Sequence, residues 1–160
     1  MQKSEVREIL WELDSARRRL LRPYFLEIGL TLGEGQPRIL RWLAEHGPMS
    51  QRELADACRL DVTTMSRTLD RLAEAGYLER ERNPECRRSH LISLTPAGRE
   101  KAQQVIDGFR IVDERLLAGF RENEAKEILA GLRRMLKNLE SAPAIEADSG
   151  SGTDGKDFAL

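Results

Sequence analysis

The chain has 160 residues, with 26 Lys and Arg against 27 Asp and Glu for a formal net charge of −1, and 33% of it is charged while 5% is aromatic. This length and composition predict one soluble, mostly helical domain with a modest core, and they exclude a bilayer-spanning segment. No basic start is followed by an apolar run, so the chain is expected to remain in the cytoplasm, where two cysteines make no disulfide framework.

Val6, Ile9, Leu10, Leu13, Ala16 and Leu20 recur at helical spacing and predict a first helix from Lys3 to about Arg22. Pro23 is expected to kink or end it, because an interior proline loses a hydrogen bond and clashes with the preceding turn. Tyr24, Phe25 and Ile28 continue the apolar run toward Gly29. The cluster Arg17, Arg18, Arg19 and Arg22 reads first as a solvated helix face. A second helix spans about Glu34 to Glu45, with Ile39, Leu40, Trp42 and Leu43 turned inward. Pro37 is tolerated only in a first turn, which limits how early that helix starts.

The stretch from Ser50 to Leu94 carries the strongest local signals. Ser50 followed by Glu53 is a capping box, so a short helix starts near Gln51, with Leu54, Ala55, Ala57 and Cys58 on a narrow apolar side. Asp61 is a favourable N-cap for a second helix, in which Met65, Leu69 and Leu72 form the buried stripe and Gly76 ends the run. Its other side offers Thr63, Thr64, Ser66, Arg67, Asp70 and Arg71, hydroxyls and guanidiniums suited to phosphates and base edges in a major groove. Tyr77 to Arg82 and Ser89 to Leu94 then predict a two-stranded hairpin whose turn opens at Asn83 and Pro84 and whose tip carries Arg87 and Arg88. An exposed arginine on a slender hairpin has the shape to enter a narrow minor groove.

Thr95 and Pro96 open a long helix with Val105, Ile106, Phe109, Val112, Leu116 and Phe120 at threes and fours. A last helix, about Glu124 to Leu139, carries Ile128, Leu129, Leu132, Met135, Leu136 and Leu139. These stripes and that of the first helix exceed what one small reading head can cover, which predicts burial on a second copy in a two-fold dimer. From Ser141 onward the composition turns to Ala, Asp, Ser, Gly and Thr, and 141–160 is expected to be a disordered acidic tail. Residues 140–160 hold five acids against Lys156, which leaves +3 for the rest, and five arginines against Glu81 and Glu85 make Arg80 to Arg99 locally basic.

The string "SQRELADACRLDVTTMSRTLDRLAEAGYLERERNPECRRSHLISLTPAG" resembles the winged helix-turn-helix of the MarR (multiple antibiotic resistance regulator) family of bacterial transcription factors. The helix spacing, "LDRLAEAGYLER", the wing arginines and the closing "LTPAG" occur together, and the helical flanks extend the resemblance over roughly residues 1 to 140. It implies a mainly α fold with a small β-hairpin wing, a winged helix-turn-helix over about 34–95 between dimerisation helices over about 3–28 and 96–140. It also implies a homodimer on a pseudo-palindromic operator, regulated by a small aromatic or phenolic ligand between the dimerisation helices and the reading head. The chain departs from the family's pattern in the wing. Cys86 precedes Arg87 and Arg88 where an aspartate is usual, and Asn83 stands where an aspartate is common, so Glu85 is the acid left to orient a wing arginine.

Catalysis calls for a nucleophile with a base, paired carboxylates in a cleft, or a metal, and the pattern offers none of these. The histidines are His46 and His90; Cys86 and His90 across the hairpin are two ligands, short of a zinc site. Gly33 and Gly35 lack the lysine and strand of a phosphate loop, and no cofactor is expected. The sequence therefore predicts a DNA-binding repressor and no enzyme. Thr63, Thr64, Ser66, Arg67 and Arg71 are expected in the major groove, Arg88 in the minor groove and Arg87 on phosphate. Tyr24, Phe25, Trp42 and Phe109 are candidates for an effector pocket, although aromatics at these spacings also read as plain core. Two other readings stay open: a redox switch through Cys86, whose electropositive turn favours a thiolate, and a winged-helix protein-interaction module that does not bind DNA.

Overall fold

The computed structural model describes residues 3–31, 35–85 and 90–145. The chain divides into two compact units, Met1–Ala118 and Gly119–Leu160. The first contains α1 (Lys3–Glu27), α2 (Gln36–His46), β1 (Met49–Ser50), α3 (Gln51–Cys58), α4 (Val62–Glu74), β2 (Leu78–Arg82), β3 (His90–Leu94) and α5 (Pro96–Leu116). The second contains α6 (Glu122–Glu140). The mainly α fold with a small sheet is as expected, and the helices begin where their caps place them. Thr95 accepts from the Gly98 amide at 3.0 Å, so α5 starts at Pro96. At α6 the Glu124 carboxylate reaches back to the Arg121 amide at 2.8 Å.

Two expectations are corrected. Pro23 does not end the first helix, which runs on to Glu27. Leu21 and Phe25 flank the proline and are both buried in the core, and the Tyr24 hydroxyl donates to the Gln104 carbonyl at 2.7 Å, so packing on α5 outweighs one lost backbone bond. The expected stripe of α1 faces outward at Ile9, Leu10, Leu13 and Leu20, while Leu21 and Phe25 enter the core. Finally, the sheet has three antiparallel strands in the order β1-β3-β2, not the two of a hairpin. Met49 pairs with Ile92 and Ser50 with Leu91, a contact too short to leave a periodic signal in the sequence.

One core joins the elements of the first unit: Phe25 and Leu21 of α1, Ile39 and Leu40 of α2, Leu54 and Cys58 of α3, Met65, Leu69 and Leu72 of α4, Ile92 of β3 and Val105 of α5. Burial pushes the Cys58 thiol up to about 11, so it is a neutral packing group. In the second unit α6 buries no residue, and its apolar positions from Ile128 to Leu139 are all exposed.

Candidate nucleic-acid interface

The reading head is set by two capped helices. Ser50 accepts from the Glu53 amide at 3.3 Å while Glu53 accepts from the Ser50 amide at 2.8 Å, closing the predicted capping box at the start of α3. Asp61 takes the Thr64 amide at 2.9 Å and the Thr64 hydroxyl at 2.6 Å, which fixes the first turn of α4. These bonds hold both carboxylates below their ordinary range: the Ser50 hydroxyl and amide act on Glu53, the Thr64 hydroxyl and amide on Asp61.

Between the helices Arg59 adopts φ 53°, the left-handed region, and among the described residues it is the one non-glycine with positive φ. The turn is held from several sides. Leu60 donates its amide to Ala55 at 3.1 Å, Arg38 of α2 donates to the Cys58 carbonyl at 2.7 Å, and Leu60 lies so close to Gly35 that a Cβ there would meet its Cδ1 at 2.7 Å.

The burial pattern of α4 divides its predicted contact residues. Thr63, Arg67 and Arg71 are exposed, and Thr64 and Ser66 are half-buried. The Thr64 hydroxyl proton is committed to Asp61, which leaves its oxygen as an acceptor for any further partner. Val62, the first helical residue, is 75% exposed, and its apolar side chain gives no polar signal by which the sequence would mark it as part of this face. Asp70, on the same exposed side, accepts from Arg80 of β2 at 2.8 Å and so ties the recognition helix to the wing. That pair joins two elements and left no local signal. Cys86, Arg87 and Arg88 at the wing tip lie outside the described residues. The turn toward them begins with Asn83, whose side chain accepts from the Glu85 amide at 2.9 Å.

The four aromatic candidates do not form one pocket. Phe25 is fully buried; its ring meets Tyr24 at 5.6 Å and Phe109 edge-on at 5.4 Å, whereas Trp42 stacks on His46 at 4.2 Å and lines a separate cleft with Met49, Pro84 and Leu91. Phe109 instead borders a cleft of about 310 Å³ between α1, α2 and α5, with Arg17, Arg18, Arg38 and Arg41 around it and Asp113 at its edge. The Arg41 guanidinium lies 5.6 Å from the Phe109 ring centre. Arg17 and Arg18 both bond Asp14 at 2.7 Å, Arg17 first among the causes that hold that carboxyl low.

A capped helix-turn-helix whose second helix exposes hydroxyls and guanidiniums, followed by a β wing, defines a winged-helix DNA-binding transcriptional regulator. Residues 32–90 match the MarR family. The chain is 35% identical over 104 residues to the uncharacterized HTH-type transcriptional regulator YwoH of Bacillus subtilis, an alignment covering 65% of this chain and 74% of that one. It is 30% identical over 92 residues to the HTH-type transcriptional regulator BilQ of Clostridium symbiosum, covering 58% of this chain and 64% of the relative, so the likeness there spans less than two thirds of the relative's length. The crystal structure of a MarR-family transcriptional regulator from Silicibacter pomeroyi superposes with a TM-score of 0.71 at 26% identity, covering 85% of this chain and 90% of that one. This chain belongs to the MarR family of transcriptional regulators. Among the described residues no helix is long and apolar enough to cross a membrane.

Proposed function

We propose that this chain is a repressor that binds a pseudo-palindromic operator as a homodimer and releases it when a small aromatic effector occupies the cleft between α1, α2 and α5. The observation that carries the DNA-reading half is the exposed side of α4, where Thr63, Arg67 and Arg71 stand outward on a helix whose cap and turn are fixed. Arg67 and Arg71 read base edges or phosphates in the major groove, with Thr63 and Ser66 beside them. Arg88 enters the minor groove, and Arg87 holds phosphate.

The dimer reading is supported by apolar residues left in water by both units: Ile9, Trp11, Leu13 and Leu20 of α1 in the first, and the whole stripe of α6 in the second. A second copy related by a two-fold axis covers them and places two reading heads on successive major grooves, about 34–36 Å apart. Repression then needs only occupancy of the operator. An aromatic effector finds a ring partner in Phe109 and arginines of α1 and α2 around the cleft, and it releases DNA to the extent that it favours a non-binding arrangement.

The test begins with an operator selected from a random DNA pool and measured by fluorescence anisotropy. The expected site has two inverted half-sites, and Arg67→Ala lowers affinity by about tenfold or more, the cost of one base or phosphate contact per head. Arg88→Ala does the same while leaving the thermal unfolding curve in place. Equal binding of the variants and the natural protein at matched salt contradicts the assigned contacts.

A further inference from the structure

Two rows of side chains run along α4 at intervals of four. Thr63, Arg67 and Arg71 make one row, which carries the cations, and Val62, Ser66 and Asp70 make the other. The ends of the second row offer a phosphate nothing, since the Asp70 carboxylate already accepts from Arg80 at 2.8 Å and Val62 is apolar. Val62 is nonetheless 75% exposed. Among the described residues the other large apolar side chains in water lie on α1, α5 and α6 or in the chain beside them, so Val62 stands apart within the reading head. It follows Asp61, whose carboxylate takes the Thr64 amide at 2.9 Å and the Thr64 hydroxyl at 2.6 Å and so fixes the turn that carries Val62. Branching at Cβ restricts its χ1 as well, so the side chain has little freedom left to lose on binding.

We propose that Val62 is a specificity-determining residue, packing on the C5-methyl group of a thymine at one position of each half-site. This rests on the DNA-reading half of the function above and adds what its polar contacts do not supply, the recognition of a methyl group. A recognition helix reaches base edges with its N-terminal residues, and Val62 is the first residue of α4. The base edges in the major groove present donors, acceptors and one apolar group, the thymine methyl. An isopropyl group set against that methyl gains by burial. Set against a donor or an acceptor, it strips water from a polar group and returns no hydrogen bond. Val62 therefore favours thymine both by the contact it makes there and by the cost it imposes elsewhere.

The experiment uses the full chain and its selected operator, with synthetic duplexes in which one thymine at a time is replaced by deoxyuridine in both half-sites. That replacement removes the methyl group and keeps the base pair. Val62→Ala is measured on the same duplexes, with thermal unfolding to establish that it is folded, and Arg67→Ala represents the other row of α4. At one thymine position the replacement is expected to cost the natural protein about fifteenfold in affinity, about fourfold for the methyl of each half-site. Val62→Ala is expected to bind the thymine operator about fifteenfold more weakly and to lose under about twofold more from deoxyuridine at that position. Arg67→Ala keeps the full sensitivity to the methyl. The readout is the coupling between the valine and the thymine methyl, because a general loosening of α4 weakens binding to every duplex alike. A natural protein indifferent to deoxyuridine at every thymine, or a Val62→Ala that loses as much as the natural protein at each, overturns the role of Val62 and leaves the DNA-reading function in place. A natural protein that selects no operator overturns that function and this contact together.

Discussion

Arg59 carries the clearest cost of any single residue in the reading head. Its φ of 53° suits glycine, and an L-residue with a side chain stands roughly 1–2 kcal/mol higher there. Arg59→Gly removes that conformational cost and is therefore expected to stabilise the fold by about 1 kcal/mol. Urea unfolding of the two proteins checks this. The caps answer to pH. Asp61 and Glu53 are both held below their ordinary values by the bonds they accept, so their contribution is complete above the unfolded values of about 4. It is lost as the pH falls through the lower folded values. Thermal unfolding followed by circular dichroism should show the natural protein losing stability below pH 4 more steeply than Asp61→Asn, which has no charge to lose at that cap. The capping box at Ser50 and Glu53 was legible in the sequence because its partners lie within one turn of each other. The engagement of the Thr64 hydroxyl was not, since a threonine at that position suits a phosphate as well as it suits its own cap.

Elements meet most closely where α5 begins. A Cβ on Gly98 would stand 1.9 Å from the Tyr77 carbonyl oxygen, and backbone on that side cannot swing away as a long side chain can. Gly98→Ala is expected to destabilise by about 3 kcal/mol, at the upper end of ordinary overpacking, and a denaturant midpoint measures it. The same junction shows why the long helix starts where its sequence says: Thr95 caps α5 and also donates to the Gly76 carbonyl at 2.6 Å, which fastens the helix to the end of the preceding turn. Pro23 shows the limit of such local reasoning. Its ring argues for a break, yet Leu21, Tyr24 and Phe25 pack α1 against the rest of the core on both sides of it and the helix continues. Likewise β1 exists because β3 offers an edge for Met49 and Ser50, not because two residues carry any strand preference of their own.

At the scale of the molecule the apolar surface is the decisive feature. α6 buries nothing within its own unit, and Leu139 is 76% exposed. Leu132→Asp is expected to leave helix content unchanged by circular dichroism, to shift sedimentation from dimer toward monomer, and to weaken operator binding as the two heads lose their link. A monomer in the natural protein, or a variant that sediments and binds as the natural protein does, contradicts the dimer. What the sequence by itself determined is the series of helices with the hairpin of the wing, the caps at Ser50, Asp61 and Thr95, and the winged helix-turn-helix they compose. Those signals act between residues within a turn or a strand of one another. Only the tertiary structure decided that Arg38 reaches the Cys58 carbonyl twenty residues away, that Asp70 is tied to Arg80 across ten, and that Trp42 parts from Tyr24, Phe25 and Phe109. A side chain with several possible partners carries no record in the sequence of the one that packing brings within reach.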